Sequence, residues 1–367
     1  MTTPSTKVIG EGTYGCVLKP SLPCDNKTAQ ISYKNKLSKL MLSSAALKEV
    51  EEYAIISNVD KNAQYYTGKP TRCKMKETID SIKAIENCKL IKKNFKNKTV
   101  KQIIADTDLL IIGDGGDDLE KWVKKVIKSK DVAKRVAEFW REMPRLFRGL
   151  KVFKSYNLVH HDLKPQNVVF HTESKRANFI DFGLMRSIKS EAAKCREVAS
   201  CKGSSHWNYP TDVVFMNRKE YSILAKQTVL ERETTFQKYM NAIRNRANIP
   251  FVTAFNTMIQ YIYTRDDAES KKEFVDKYWM GWKDLFMNIQ TENYSVFLEK
   301  TLNGFDVFGF GLTLIYVLSR VRKWMKPDVV KKMNELCFRM MTPNVFVRLS
   351  IEEVAAEYDK IIAAGLS

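Results

Sequence analysis

His160, His161, Asp162, Leu163, Lys164, Pro165, Gln166 and Asn167, followed by Asp181, Phe182 and Gly183, gather four chemically useful side chains in two short segments. Asp162 can orient a hydroxyl nucleophile, Lys164 can neutralise charge on a moving phosphate, and Asn167 with Asp181 can hold magnesium. A lone His-x-Asp triplet recurs in unrelated loops. Here an eight-residue block is joined by a second acidic motif, and strand-like residues (Leu158, Val159; Val168, Val169, Phe170; Phe179, Ile180) flank both. A pair of β-turns would explain the local composition but not the order Asp, Lys, Asn, Asp.

Far upstream, Ile9, Gly10, Glu11, Gly12, Thr13, Tyr14, Gly15, Cys16 and Val17 form a Gly-x-Gly-x-x-Gly loop. Glycines let two strands turn tightly while backbone N–H groups approach phosphate oxygens without a side-chain clash. Such a loop alone is a weak signal, and no dinucleotide-fold helix pattern follows it. Its position ahead of the Asp162 block adds weight to both.

The order and spacing of these groups resemble the eukaryotic-type Ser/Thr protein kinases. Lys164 followed by Pro165 is the Ser/Thr form of the loop, and Gly-Glu-Gly-Thr-Tyr-Gly-Cys-Val with a large helical insert resembles the kinases of giant nucleocytoplasmic DNA viruses. The resemblance implies an α+β bilobal fold, with a small β-rich lobe over residues 1–112 and a large helical lobe over 113–367. It also implies ATP and Mg2+ (or Mn2+) as cofactors, Asp162 as catalytic base, and transfer of the γ-phosphate to protein Ser/Thr hydroxyls. The competing reading is a pseudokinase scaffold that binds partners through the insert.

Other assignments follow from the resemblance. A strand lysine should reach the α and β phosphates: Lys39, in Leu37 to Met41, is chosen, with Lys34 the rival. Glu52, on a helix marked by Leu47, Val50, Tyr53, Ile55, Ile56 and Val59, is taken as its ion-pair partner. Gly203, Ser204, then Trp207, Asn208, Tyr209, Pro210, Thr211 and Asp212 resemble a degenerate end of the activation segment, with Arg348 as the partner of Asp212. Asp306 resembles the aspartate that braces the catalytic-loop backbone. His161 stands where the family commonly has Arg, the residue that grips a phosphorylated activation loop. Activity is therefore expected not to need phosphorylation between Leu184 and Trp207, despite Ser187, Ser190, Ser200, Ser204 and Ser205.

Positioning these groups requires a scaffold whose elements are partly legible. Leu109 to Ile112 read as a buried strand and Gly113 to Gly116 as a hinge. Val132, Val136, Phe139, Met143, Leu146, Leu150 and Phe153 mark an amphipathic helix leading into the Asp162 loop, which Pro144 should kink or split. Residues 60–108 read as an insertion or extended loop. Roughly 90 residues separate Asp212 from Asp306, beyond ordinary loop lengths. Val252, Phe255, Ile259 and Ile262, then Phe274, Tyr278 and Trp282, make residues about 213–300 a helical insertion packed on its own aromatics.

The 367 residues are 44% hydrophobic, enough for one large or two modest cores. No apolar run is expected to cross a bilayer; Val307 to Leu318 is interrupted by Gly309 and Gly311. The polar start, Met1 to Lys7, lacks an apolar signal region. Seven scattered cysteines without a Cys-x-x-Cys pair predict reduced, buried thiols and a cytoplasmic protein, in host cytoplasm or virion if viral. A net charge of +19 makes nucleic acid or an anionic surface a possible partner besides protein substrates. A solvated lysine-rich surface is the plainer account, because no nucleic-acid module pattern is visible.

Overall fold

The computed structural model describes residues 6–12, 15–25, 31–197, 206–264 and 268–365. The chain divides into two compact units, Met1–Gly116 and Asp117–Ser367. The division falls after residue 116 rather than 112 because the last long strand of the first unit runs on through Gly113, paired with Lys36.

The first unit is a five-stranded antiparallel sheet in the order β1 (Lys7–Gly12), β2 (Gly15–Lys19), β3 (Lys36–Leu42), β5 (Thr107–Gly113) and β4 (Thr71–Cys73). β3 and β5 are apolar at consecutive positions because both of their faces are covered. Leu40, Leu109 and Ile111 face one cluster with Cys16 and Leu18, while Met41 and Leu110 face Ala46 of α1 (Ser43–Val59). Between α1 and β5 the chain is structured, not an extended loop. Besides β4 it forms α2 (Ile79–Asn87), α3 (Lys89–Asn94) and α4 (Val100–Asp106). Thr78 and Thr99 begin α2 and α4 with reciprocal capping boxes that satisfy otherwise orphaned backbone N–H groups.

The expected reduced thiols are not what this unit contains. Cys16 is bonded to Cys88 and Cys24 to Cys73, with Cα separations of 5.9 and 5.7 Å, and Cys195 of the second unit is also disulfide-bonded. Among the described residues only Cys337 is a free thiol. Partners 72 and 49 residues apart meet through sheet and helix packing, which the sequence spacing does not reveal. Loops of that size would each stabilise the fold by about 4 kcal/mol on the chain-entropy account.

The second unit begins with β6 (Asp117–Asp118), which joins β8 (Val168–His171) and β9 (Arg176–Phe179) in a small sheet, followed by α5 (Leu119–Val126) and α6 (Val132–Ser155). β7 (Leu158–Val159) pairs with β10 (Arg186–Ser187), which leads into α7 (Ile188–Arg196). The insertion is helical: α8 (Arg218–Ala225), α9 (Val229–Arg244), α10 (Pro250–Ile262) and α11 (Ala268–Asn288). Its aromatics pack inward, with Trp282 fully buried against Phe251, Phe286 and Phe215. Arg232 ties α9 to the end of α11 by donating to the Met287 carbonyl at 2.9 Å.

α12 (Tyr294–Val321) follows, then α13 (Pro327–Met341) and α14 (Ile351–Gly365). Contrary to expectation, the stretch Thr291–Trp324 is long and apolar enough to cross a membrane by composition, yet 94% of its apolar window is buried in the protein. A helix apolar all round is here the core of the unit.

Pro144 does not split α6, which is one helix of 24 residues. Proline removes the N–H that would bond the carbonyl four residues earlier, that of Trp140. The buried Tyr358 hydroxyl of α14 donates to that carbonyl at 2.6 Å, and the tyrosine ring packs on Phe147. Replacing the hydroxyl alone, Tyr358→Phe, should therefore lower unfolding free energy by about 1–3 kcal/mol in urea denaturation, because it leaves a buried carbonyl unpaired. A change within error would mean that Trp140 finds another donor.

Candidate active site

The catalytic-loop residues gather in the second unit. Asp162 is 8% exposed and its carboxylate takes three side-chain donors, only one of them on Oδ1, which keeps acceptor capacity for a further hydroxyl. Lys164 Nζ lies 2.7 Å and Asn167 Nδ2 2.8 Å from Oδ2, while Asn208 Nδ2 lies 2.8 Å from Oδ1. Asn167 also donates to the Asp162 carbonyl at 2.8 Å, closing the loop on itself. Asn208, 2% exposed and itself bonded to the His206 ring, belongs to the degenerate segment before Asp212, and its bond to Asp162 is not announced by the sequence. No pattern links the two across 46 residues.

The loop is held from below by Asp306 of α12. Its Oδ2 accepts the backbone N–H of His160 at 2.7 Å and its Oδ1 that of His161 at 3.0 Å. Gly309, one turn further along α12, lets the helix approach so closely that an added Cβ would lie 2.7 Å from the Leu163 carbonyl oxygen. The glycine that interrupts the apolar run is thus a packing requirement of the loop.

Asp181 follows directly on this arrangement. The Ile180 N–H donates to the Asn167 carbonyl at 3.0 Å, and the His160 ring lies 3.2 Å from the Ile180 carbonyl. Phe182 is buried against His160 and Phe153. Both hydrogen bonds of the Asn167 side chain use its nitrogen, leaving the amide oxygen for a ligand. Among the described residues the exposed Asp181 carboxylate has no ion-pair partner. An amide oxygen and a free carboxylate fit the hard oxygen preference of Mg2+.

The first unit carries the remaining candidates. Gly12 pairs with Gly15 where β1 and β2 meet, and a Cβ at Gly15 would lie 2.5 Å from the Leu40 carbonyl oxygen of β3. Ile9, Gly10 and Glu11 lie on β1, and Cys16 and Val17 on β2; Thr13 and Tyr14 lie outside the described residues. Lys39 is central in β3, paired in register with Val17 and Leu110, whereas Lys34 is exposed in the turn before the strand. Its ion-pair partner differs from the one expected. Lys39 Nζ is 2.5 Å from Glu49, and Glu52 instead lies 3.8 Å from Lys48. Glu49 sits one turn nearer the start of α1, the end of the helix closest in sequence to β3, and Glu52 is the neighbour three positions along the same helix.

Residues 4–358 match the family described as Protein kinase domain. The chain belongs to that family. Its relatives include Mitogen-activated protein kinase 15 of Caenorhabditis elegans, 40% identical over 73 residues that make up 20% of this chain and 14% of that protein. Calcium-dependent protein kinase 3 of Plasmodium yoelii yoelii is 26% identical over 182 residues, 49% of this chain and 27% of the relative. The same kinase of Plasmodium berghei is 26% identical over 182 residues and matched over 26% of its length. The chain therefore spans little more than a quarter of these relatives at most.

The structure also places Asp212, Arg348 and His161. Asp212 and Arg348 form an ion pair at 2.5 Å with both side chains buried, supported by the Thr301 hydroxyl at 3.3 Å from Asp212 and the Thr342 carbonyl at 3.0 Å from Arg348. His161, at the position commonly Arg, is stacked on Phe305 with ring centroids 4.2 Å apart and lies beside Tyr209. Burial, opposed by Glu191 and Asp162 and aided by Arg186 and His160, brings its pKa down to about 4. The neutral ring is therefore the native form at neutral pH.

This shift has a definite sign. The folded protein resists protonation of His161 while the unfolded chain accepts it near pH 6.5, so its contribution to stability is complete above that pH and is lost as pH falls towards 4. Between pH 7 and 4.5 wild type should lose about 2–3 kcal/mol more than His161→Asn, which does not titrate and tolerates the left-handed φ of 69°. Equal losses in chemical denaturation at the two pH values would show that His161 protonates freely in the fold.

Proposed function

We propose that this chain is an ATP-dependent protein kinase that phosphorylates Ser or Thr hydroxyls, with Asp162 as the catalytic base. The observation that carries the reading is the Asp162 carboxylate, fixed at both oxygens by Lys164, Asn167 and Asn208. A carboxylate so oriented can accept the hydrogen bond of a substrate hydroxyl and align its oxygen for in-line attack. Lys164, 2.7 Å from it, offsets negative charge that develops on the transferred group. Asn167 and Asp181 would hold Mg2+, which supplies further charge neutralisation on the phosphates. In the first unit the glycine hairpin offers backbone N–H groups to phosphate, and Lys39, oriented by Glu49, offers a cation. Glu49, rather than Glu52, would orient that lysine.

The scaffold alternative asks for a missing catalytic group. Asp162, Lys164, Asn167, Asp181 and Lys39 are all present, so the enzyme reading is the more economical. The likeness to giant-virus kinases rests on residues 10–17 and the insertion, whereas the three relatives named above are cellular. A cytoplasmic site of action loses the support that reduced thiols would have given it.

Turnover with casein or histone should fall by about 10²- to 10⁴-fold in Asp162→Asn, while ATP affinity stays within a few-fold. ATP consumption by purified wild type and variant checks this, and unchanged turnover would reject the role of Asp162.

A second outcome concerns activation. His161 is neutral and stacked, and α7 is tied down independently, through Ser187 at its cap and the Tyr294 hydroxyl, which is shared between the Met216 carbonyl at 2.7 Å and the Cys195 carbonyl at 2.9 Å. Ser200, Ser204 and Ser205 lie outside the described residues. Phosphatase-treated protein should retain the activity of untreated protein; its loss would place a phosphate-gripping group elsewhere.

A further inference from the structure

Glu11 on β1 and Cys16 on β2 pair in register beside Gly12 and Gly15, and both are held by two adjacent residues of the segment between α1 and β5. Cys16 is bonded to Cys88, and each is 0% exposed. The Lys89 backbone N–H donates to the Glu11 carboxylate at 3.0 Å, and its ammonium lies 3.7 Å from the same group. A covalent bond to β2 and a charge-assisted hydrogen bond to β1 thus act on opposite sides of Gly12 and Gly15. Phosphate loops of this kind lose conformational freedom when they close on a ligand, and a loop restrained beforehand loses less.

We propose that Cys88 and Lys89 are positioning residues for nucleotide binding, a clamp by which the 60–106 segment holds the glycine-rich hairpin ready for the phosphates. The proposal rests on the nucleotide role given to the hairpin above. It separates two disulfides that look alike thermodynamically. Cys24–Cys73 closes a loop of similar size in the same unit but reaches the chain well beyond the hairpin tip, where Cys24 bridges Met75. Both should stabilise the fold; only Cys16–Cys88 should set nucleotide affinity.

The test compares binding of a fluorescent ATP analogue with Mg2+, together with KM for ATP and kcat, across three oxidised proteins and wild type. Cys88→Ser should weaken nucleotide binding and raise KM about tenfold with a much smaller effect on kcat. The paired variant Cys24→Ser/Cys73→Ser should lower thermal stability comparably yet leave nucleotide affinity within twofold. Lys89→Pro guards against misfolding: it keeps the disulfide, and proline is tolerated at the first position of α3, so what is lost is the pair of contacts to Glu11, the N–H and the ammonium. It should weaken binding several-fold. Equal affinity losses in both cysteine variants, or no loss in Cys88→Ser and Lys89→Pro, would overturn the clamp. Should wild type itself bind no nucleotide, the kinase reading would fall first and the clamp with it.

Discussion

The arrangement around Asp162 depends on one buried carboxylate that takes no part in chemistry. Asp306 is enclosed by the second unit, and burial pushes its pKa up, so its charge is a standing cost to the fold. Two backbone N–H groups, those of His160 and His161, are what make that charge tolerable. The converse also holds. A loop that must place His161 at a φ of 69° needs a fixed anchor on its N–H groups, because a non-glycine residue does not adopt that conformation unaided. Gly309 completes the constraint by allowing α12 to lie directly beneath Leu163.

From that anchor the site is built outward by hydrogen bonds whose members come from progressively more distant sequence. Lys164 and Asn167 lie within five residues of Asp162, and a reader of the sequence can find them because a short loop fixes their spacing. Asn208 reaches the other carboxylate oxygen from beyond α7, and only the folded chain shows it. The same distinction explains the glutamate. Spacing along α1 shows that Glu49 and Glu52 lie on one helix, but which of them meets Lys39 depends on how that helix lies against β3, which no local pattern encodes.

The cysteines and Pro144 failed to announce themselves for related reasons. A thiol's partner is set by the register of β2 against β3 and by the path through α2 and α3, so Cys16 and Cys88 are strangers in sequence and neighbours in space. Proline carries a local rule that a tertiary contact can override. The rule states that the Trp140 carbonyl loses its donor, and it is obeyed; Tyr358, more than 200 residues later, supplies another. By contrast, the apolar periodicity of the insertion is readable because Phe255, Ile259 and Ile262 on α10, and Phe274, Tyr278 and Trp282 on α11, repeat at helical spacing whatever they pack upon.

The Asp212–Arg348 pair shows why the insertion can be long without disturbing the site. Both side chains are almost wholly buried, and removing either would strand a charge at a cost of about 3–5 kcal/mol. The pair fixes the chain just before the insertion begins, and Asp306 fixes it again near the middle of α12. Everything between the two is bounded by buried charges at its ends. The aromatic core of α10 and α11 adds a third restraint, since the Tyr278 hydroxyl lies 2.7 Å from that of Thr211, beside Asp212. Helices can therefore be added between these points while Asn208, on the near side of Thr211, stays in place on Asp162.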